Sequence, residues 1–145
     1  MIVKGQVIKA SNLLHASIHR CSGDRKKARE RTKRMRPYFR HVKGGYRRAS
    51  HINVGEIVLS EKVAANIRTE AVQRLFQKME NYLNQKFAEV AGRTGYGIHV
   101  EYFRHAKKTV DGHLNVHIHA VFVAYDPETK HAVNISRRQV FGLAM

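Results

Sequence analysis

Between residues 67 and 91 the apolar side chains Val72, Leu75, Phe76, Met79, Leu83, Phe87 and Val90 recur at spacings of three and four. That spacing predicts one long helix with a single buried stripe. Gly92 is the expected stop, and Tyr82, on the edge of the stripe, is expected to pack. Shorter periods flank this helix. Residues 2–9 and 55–60 read as short strands, the second fully buried. Ser11 is a candidate cap for a short helix carrying Leu13, Leu14, Ala16 and Ile18. Residues 98–105 and 115–123 read as two strands joined through residues 106–114, with Asp111-Gly112 as the turn. Asp126-Pro127 opens another turn, and Ser136 precedes a short terminal helix with Val140, Phe141 and Leu143. These elements predict one α+β domain over residues 1–145. Its central antiparallel sheet carries the 98–123 hairpin at its centre, and its helices pack on one face.

Residues 20–48 break this patterning. They hold 13 Lys and Arg against two acids, Asp24 and Glu30, and so supply most of the chain's net charge of +16. Such an excess repels itself in a compact state and points to a polyanion as partner. Pro37, Gly44-Gly45, Tyr38, Phe39 and Tyr46 interleave the charges. The segment reads either as a solvated basic loop or as an arm that orders on DNA, its cations on phosphates and its aromatic rings on unpaired bases. The DNA contacts would be Arg25, Lys26, Lys27, Arg29, Arg31, Lys33, Arg34, Arg36, Arg40, Lys43, Arg47 and Arg48. The lone Cys21 excludes an intramolecular disulfide framework. No apolar run approaches a membrane span, and the alternating start is unlike a signal peptide, so a cytoplasmic protein without membrane attachment is expected. The last segment stops at Met145 without a capping signal, which suggests a piece of a longer chain.

Six of the ten histidines fall between residues 99 and 131. In the strand 115–123, His117 and His119 flank Ile118. Alternation puts both imidazoles on one face, about 6.5–7 Å apart, and turns Ile118 to the core. A pair so placed converges on one metal ion or, in the plainer reading, is solvated or binds phosphate when protonated. On the partner strand His99, Glu101, Phe103 and His105 share a parity. His105, nearest the turn, is the preferred third ligand, Glu101 a fourth or outer one, and His113 lies in the loop. Such a site polarises a phosphoryl oxygen, and a protein nucleophile then displaces a 3′-hydroxyl and keeps a 5′-phosphoryl group.

Residues 95–131 resemble the metal-binding hairpin of HUH endonucleases, most closely that of plasmid mobilisation relaxases. The resemblance rests on Gly95-Tyr96-Gly97-Ile98-His99, on a strand ending in His105, and on Asn115-Val116-His117-Ile118-His119-Ala120. Residues 11–19 resemble the family's small nucleophile-bearing helix. His19 falls at the nucleophile's place, as in the histidine-nucleophile branch, with Tyr38, Tyr46 and Tyr125 as alternatives. The resemblance implies site- and strand-specific nicking and joining of single-stranded DNA at an origin-like site. It implies Mn²⁺ or Mg²⁺ on His105, His117 and His119, with Mn²⁺ the better match to imidazole, and accessory mobilisation proteins as further partners. A rolling-circle replication initiator or transposase of the same superfamily is one alternative role. A non-catalytic DNA- or RNA-binding module is the other.

Overall fold

The computed structural model describes residues 1–39 and 53–134. Tyr46, Arg40, Lys43, Arg47, Arg48 and the expected terminal helix lie outside them. The described residues form an α+β fold. Strands β1 (Ile2–Lys9), β2 (Asn53–Ala64), β3 (Gly97–Lys108), β4 (His113–Tyr125) and β5 (Ala132–Val133) build one antiparallel sheet in the order β1-β2-β4-β3, with β5 pairing the end of β4. The helices are α1 (Leu13–Arg20), α2 (Arg25–Met35) and α3 (Thr69–Thr94).

The HxH strand β4 is central, hydrogen-bonded to β2 on one side and β3 on the other. Its even-numbered side chains Val116, Ile118, Ala120, Phe122 and Ala124 join Ile57 and Leu59 of β2 under the stripe of α3. Val72, Phe76, Met79, Leu83, Phe87 and Val90 of that stripe are all buried, as the spacing predicts. Gly55 lies opposite Phe122, where a Cβ would run into the Phe122 ring, so its bare backbone makes room for that ring beside Phe87.

The outcome differs from the sequence reading in five places. First, α3 runs through Gly92 and stops at Gly95, whose φ of 77° is the left-handed conformation a helix end needs. Second, β2 extends over 12 residues, because pairing with both neighbours holds it beyond its apolar centre. Third, the β3–β4 ladder continues to Lys108↔Leu114, leaving a four-residue turn in place of a long connection and setting His105 directly opposite His117. Fourth, the residue capping α1 is Asn12, without a side-chain cap bond, after a single 3₁₀ turn at Ala10–Asn12.

The fifth difference is the largest. Helices cover both faces of the sheet, because residues 25–35 are an ordered helix and not a loop. On the face away from α3, Ala10, Leu13 and Met35 cluster with Val54, Phe103, Val121 and Val123. Asp24 caps α2 by accepting from the Lys27 backbone N–H at 3.0 Å. The chain reverses between α1 and α2 through Ser22 and Gly23, both at positive φ. By itself α2 is a poor helix. Cations fill its first turn against the dipole, and like charges four apart cost about 0.2–0.5 kcal/mol per pair. Tertiary anchors hold it instead: Ala28 and Met35 are buried, Arg31 donates to the Tyr102 carbonyl and lies 4.4 Å from the Phe103 ring centre, and Arg34 grips Glu101.

Candidate metal centre

The face shared by α1 and α2 is also the face of the odd-numbered side chains of β3 and β4. Its apolar half is covered, and its other half is open. There His105, His117 and His119 come together, with one ring nitrogen from each within 4.8 Å of the others. The ring centres are 5.0 Å apart for His105 and His117, which lie face to face, and 5.2 Å for each with His119, which stands edge-on to both. All three are half-buried. Buried His105 Nε2, His117 Nδ1 and His119 Nδ1 have no hydrogen-bond partner among the described residues.

An unpartnered buried polar atom costs about 1–3 kcal/mol, so buried His105 Nε2 and His117 Nδ1 call for a partner, while His119 Nδ1 lies beside the Glu56 carboxylate. A metal ion at about 2.0–2.1 Å from one nitrogen of each imidazole would draw the three nitrogens, which lie within 4.8 Å of one another, closer together. Burial, and then the neighbouring imidazoles, push His105 down from the ordinary histidine range, against a hydrogen bond to the Arg20 backbone. Burial, and then His119, do the same to His117. Both shifts favour the neutral ring, the form that offers a lone pair. The three histidines could hold a metal ion; imidazole nitrogen suits zinc and its transition-metal neighbours better than the oxygen-seeking Mg²⁺.

A cleft of about 580 Å³ opens over the triad. His19 and Arg20, at the end of α1, line it together with Ser22, Gln6, Glu56 and Lys107. No family model matches the chain, and no curated protein or solved structure matches it. What is shown is therefore the three-histidine cluster on an antiparallel α+β sheet.

Glu56 is the feature the sequence reading misses. It is fully buried, and it faces the triad from β2. Gln6 of β1 and Arg20 of α1 both donate to its carboxylate. His119 Nδ1 lies 3.2 Å from its Oε2, off the line of a hydrogen bond. Burial alone would raise the Glu56 pKa; the contacts with His119, Arg20 and Gln6 outweigh it and hold the value at about 2. A carboxylate beside one nitrogen of a ligating imidazole fixes its tautomer and orients the other. One signal was present in the sequence: an acid inside the apolar run of residues 55–60.

The remaining candidates sort by distance from this cleft. His19 is brought to it. Glu101 is not: Arg34 Nη2 holds it at 2.7 Å and His99 Nε2 at 2.7 Å, so it is committed to α2 and does not face the triad. His113 starts β4 beside Asp111. The Tyr38 hydroxyl is 3.4 Å from His99 Nδ1, and its ring stacks on Tyr125 at 4.5 Å. His99 is six residues up the strand from His105, about 20 Å away, so Tyr38 and Tyr125 lie far from the triad. Among the basic residues Arg31 and Arg34 are spent on internal contacts, while Arg25, Lys26, Lys27, Arg29, Lys33 and Arg36 are exposed.

The Glu101 cluster has its own consequence. Burial raises the carboxyl, but the hydrogen bonds from His99 and Arg34 prevail and leave it at about 2, against an ordinary 4.5. The unfolded chain therefore binds this proton first as pH falls. The stabilisation is complete above about pH 4.5 and is lost as pH falls toward 2. Arg34→Ala should cost about 1–2 kcal/mol at pH 7, discounted for the half-exposed guanidinium, and almost nothing at pH 2. Urea titrations at the two pH values check this; an equal loss at both would mean that Arg34 acts by packing alone.

Among the described residues no helix is long and apolar enough to cross a membrane.

Proposed function

We propose that the chain nicks and rejoins single-stranded DNA as a metal-dependent, HUH-relaxase-like strand transferase. The observation that carries this reading is the position of His19, which lines the same cleft as His105, His117 and His119. These are the four positions that the HUH resemblance assigns to nucleophile and metal ligands.

His105, His117 and His119 would hold a divalent ion, which would supply positive charge to the scissile phosphate. Glu56 holds His119 in place, and through Arg20 it also holds the end of α1, which carries His19. A ring nitrogen of His19 attacks phosphorus. The N–P bond forms as the P–O3′ bond breaks, and the departing oxygen takes up a proton to become a 3′-hydroxyl, balanced by the proton lost from the other ring nitrogen of His19. The strand remains linked through its 5′-phosphoryl group to His19. Attack by another 3′-hydroxyl reverses the steps and rejoins the strand. Mobilisation of a plasmid from an origin-like site is the role this chemistry serves in relaxases; replication initiation and transposition use the same steps.

The test is incubation of the protein with labelled single-stranded origin oligonucleotides and Mn²⁺. A covalent adduct should form, disappear with EDTA, and be absent in His19→Ala. Peptide mass spectrometry should place the DNA on His19. An adduct that survives in His19→Ala moves the nucleophile to a tyrosine. Salt-sensitive binding with no adduct under any condition favours a non-catalytic binding module.

A further inference from the structure

The exposed side of α2 carries a pattern that metal chemistry does not use. Arg25, Arg29, Lys33 and Arg36 follow one another at intervals of four, four and three, so they form a single row along the helix. All four are exposed, and none makes an ion pair among the described residues. The first two steps rise about 6 Å along the axis and the last about 4.5 Å, the longer ones close to the separation of successive phosphates on an extended strand.

The row has a direction. Ser22, three residues before Arg25, lines the histidine cleft. From there Arg31 reaches Tyr102 and Phe103, Arg34 reaches Glu101, and Tyr38 reaches His99. The helix therefore runs antiparallel to β3, away from His105. The anchors also make it rigid. Two arginines and two buried apolar residues hold a helix whose own charges oppose it, so the row is set before any ligand arrives.

We infer that Arg25, Arg29, Lys33 and Arg36 form a phosphate rail that holds the backbone of single-stranded DNA leading away from the cleft, one phosphate per cation. The rail reads no base. It shares the substrate class of the proposed nicking reaction, but its binding needs neither metal nor cleavage, so the two can fail separately.

The experiment measures anisotropy of fluorescein-labelled oligo(dT) in EDTA across a salt series. One variant carries Arg25→Ala, Arg29→Ala, Lys33→Ala and Arg36→Ala. A second removes the same charge from the α3 side of the molecule, through Arg68→Ala, Arg74→Ala, Lys78→Ala and Arg93→Ala. Alanine favours helix, and circular dichroism checks that both variants fold. The rail variant should lose about 100-fold in affinity at low salt, and its salt slope should flatten by about 3, the counterion release of four single-strand phosphates. The α3 variant should lose only a few-fold. Equal losses in the two variants would show diffuse attraction and overturn the rail. Equal affinity of the native protein for a duplex of the same length would overturn the single-strand assignment. Selective loss in the rail variant, alongside wild-type protein that forms no adduct with Mn²⁺, would keep the rail and discard the nicking reaction.

Discussion

His117→Ala should abolish metal-dependent adduct formation while leaving oligo(dT) binding in EDTA within a few-fold of wild type. His117 lies face to face with His105 and edge-on to His119. Its removal leaves two imidazoles, on different strands, with no third donor among the described residues close enough to complete the set. The metal affinity should therefore fall by more than the roughly 10–100-fold that losing an outer partner of a ligand costs. Stability should change little without metal, because the deleted ring is half-buried and brings an unpartnered nitrogen with it. Calorimetric titration with Mn²⁺, thermal melts with and without the ion, and gel detection of the adduct separate these effects. In wild type the melting temperature should rise with Mn²⁺ concentration, as for any ligand bound only by the folded state; in the variant that rise should vanish. An unchanged Mn²⁺ affinity would sink the metal-site assignment, and retained cleavage would sink the proposed reaction.

The triad was legible because its geometry is mostly local. Alternation within one strand sets His117 and His119 on a common face, and a hairpin puts the turn-proximal His105 near the start of its partner. Only the exact pairing, His105↔His117, needed the structure. The α3 stripe was legible for the same reason, since spacings of three and four are a property of one helix. Glu56 was not legible as a site residue. Its facing of the triad depends on how β2 pairs with β4, with Val58 opposite His119, and residues 61 positions apart carry no local record of that register. Helix α2 was hidden for another reason. Only Ala28 and Met35 mark its buried side, and its other anchors are arginines, which in sequence look the same as the solvated cations beside them. Tertiary contacts overrode both the poor helical pattern and the adverse dipole. They also placed helices on the second face of the sheet. The Gly92 stop gave way because Val90 and the turn after it still had core and capping partners as far as Gly95.

Glu56 should respond to substitution in two separable ways. Glu56→Ala strips the counter-ion from Arg20, whose side chain is only 10% exposed, and also opens a hole in the middle of the sheet. Breaking a buried pair in this way costs about 3–5 kcal/mol, so the variant should melt well below wild type and is the weaker probe of function. Glu56→Gln keeps the shape and one acceptor oxygen but loses the charge. It should fold and remain soluble, and it should bind Mn²⁺ about 10–100-fold more weakly, because nothing then holds the His119 ring by charge. Arg20→Met supplies the contrast. It breaks the same ion pair from the other side and should lower stability, yet it leaves the carboxylate beside His119 and so should preserve most of the metal affinity. If Glu56→Gln and Arg20→Met lower stability alike but only the first weakens Mn²⁺ binding, Glu56 orients a ligand. If metal affinity follows stability in both, Glu56 is a structural ion-pair partner and no more. The measurement also bears on why a carboxylate sits there at all. A buried charge is a poor way to gain stability against an apolar side chain of similar size. Retaining one, under Gln6, Arg20 and His119 together, makes sense where strand β1, helix α1 and strand β4 must be held in a fixed relation around a cation.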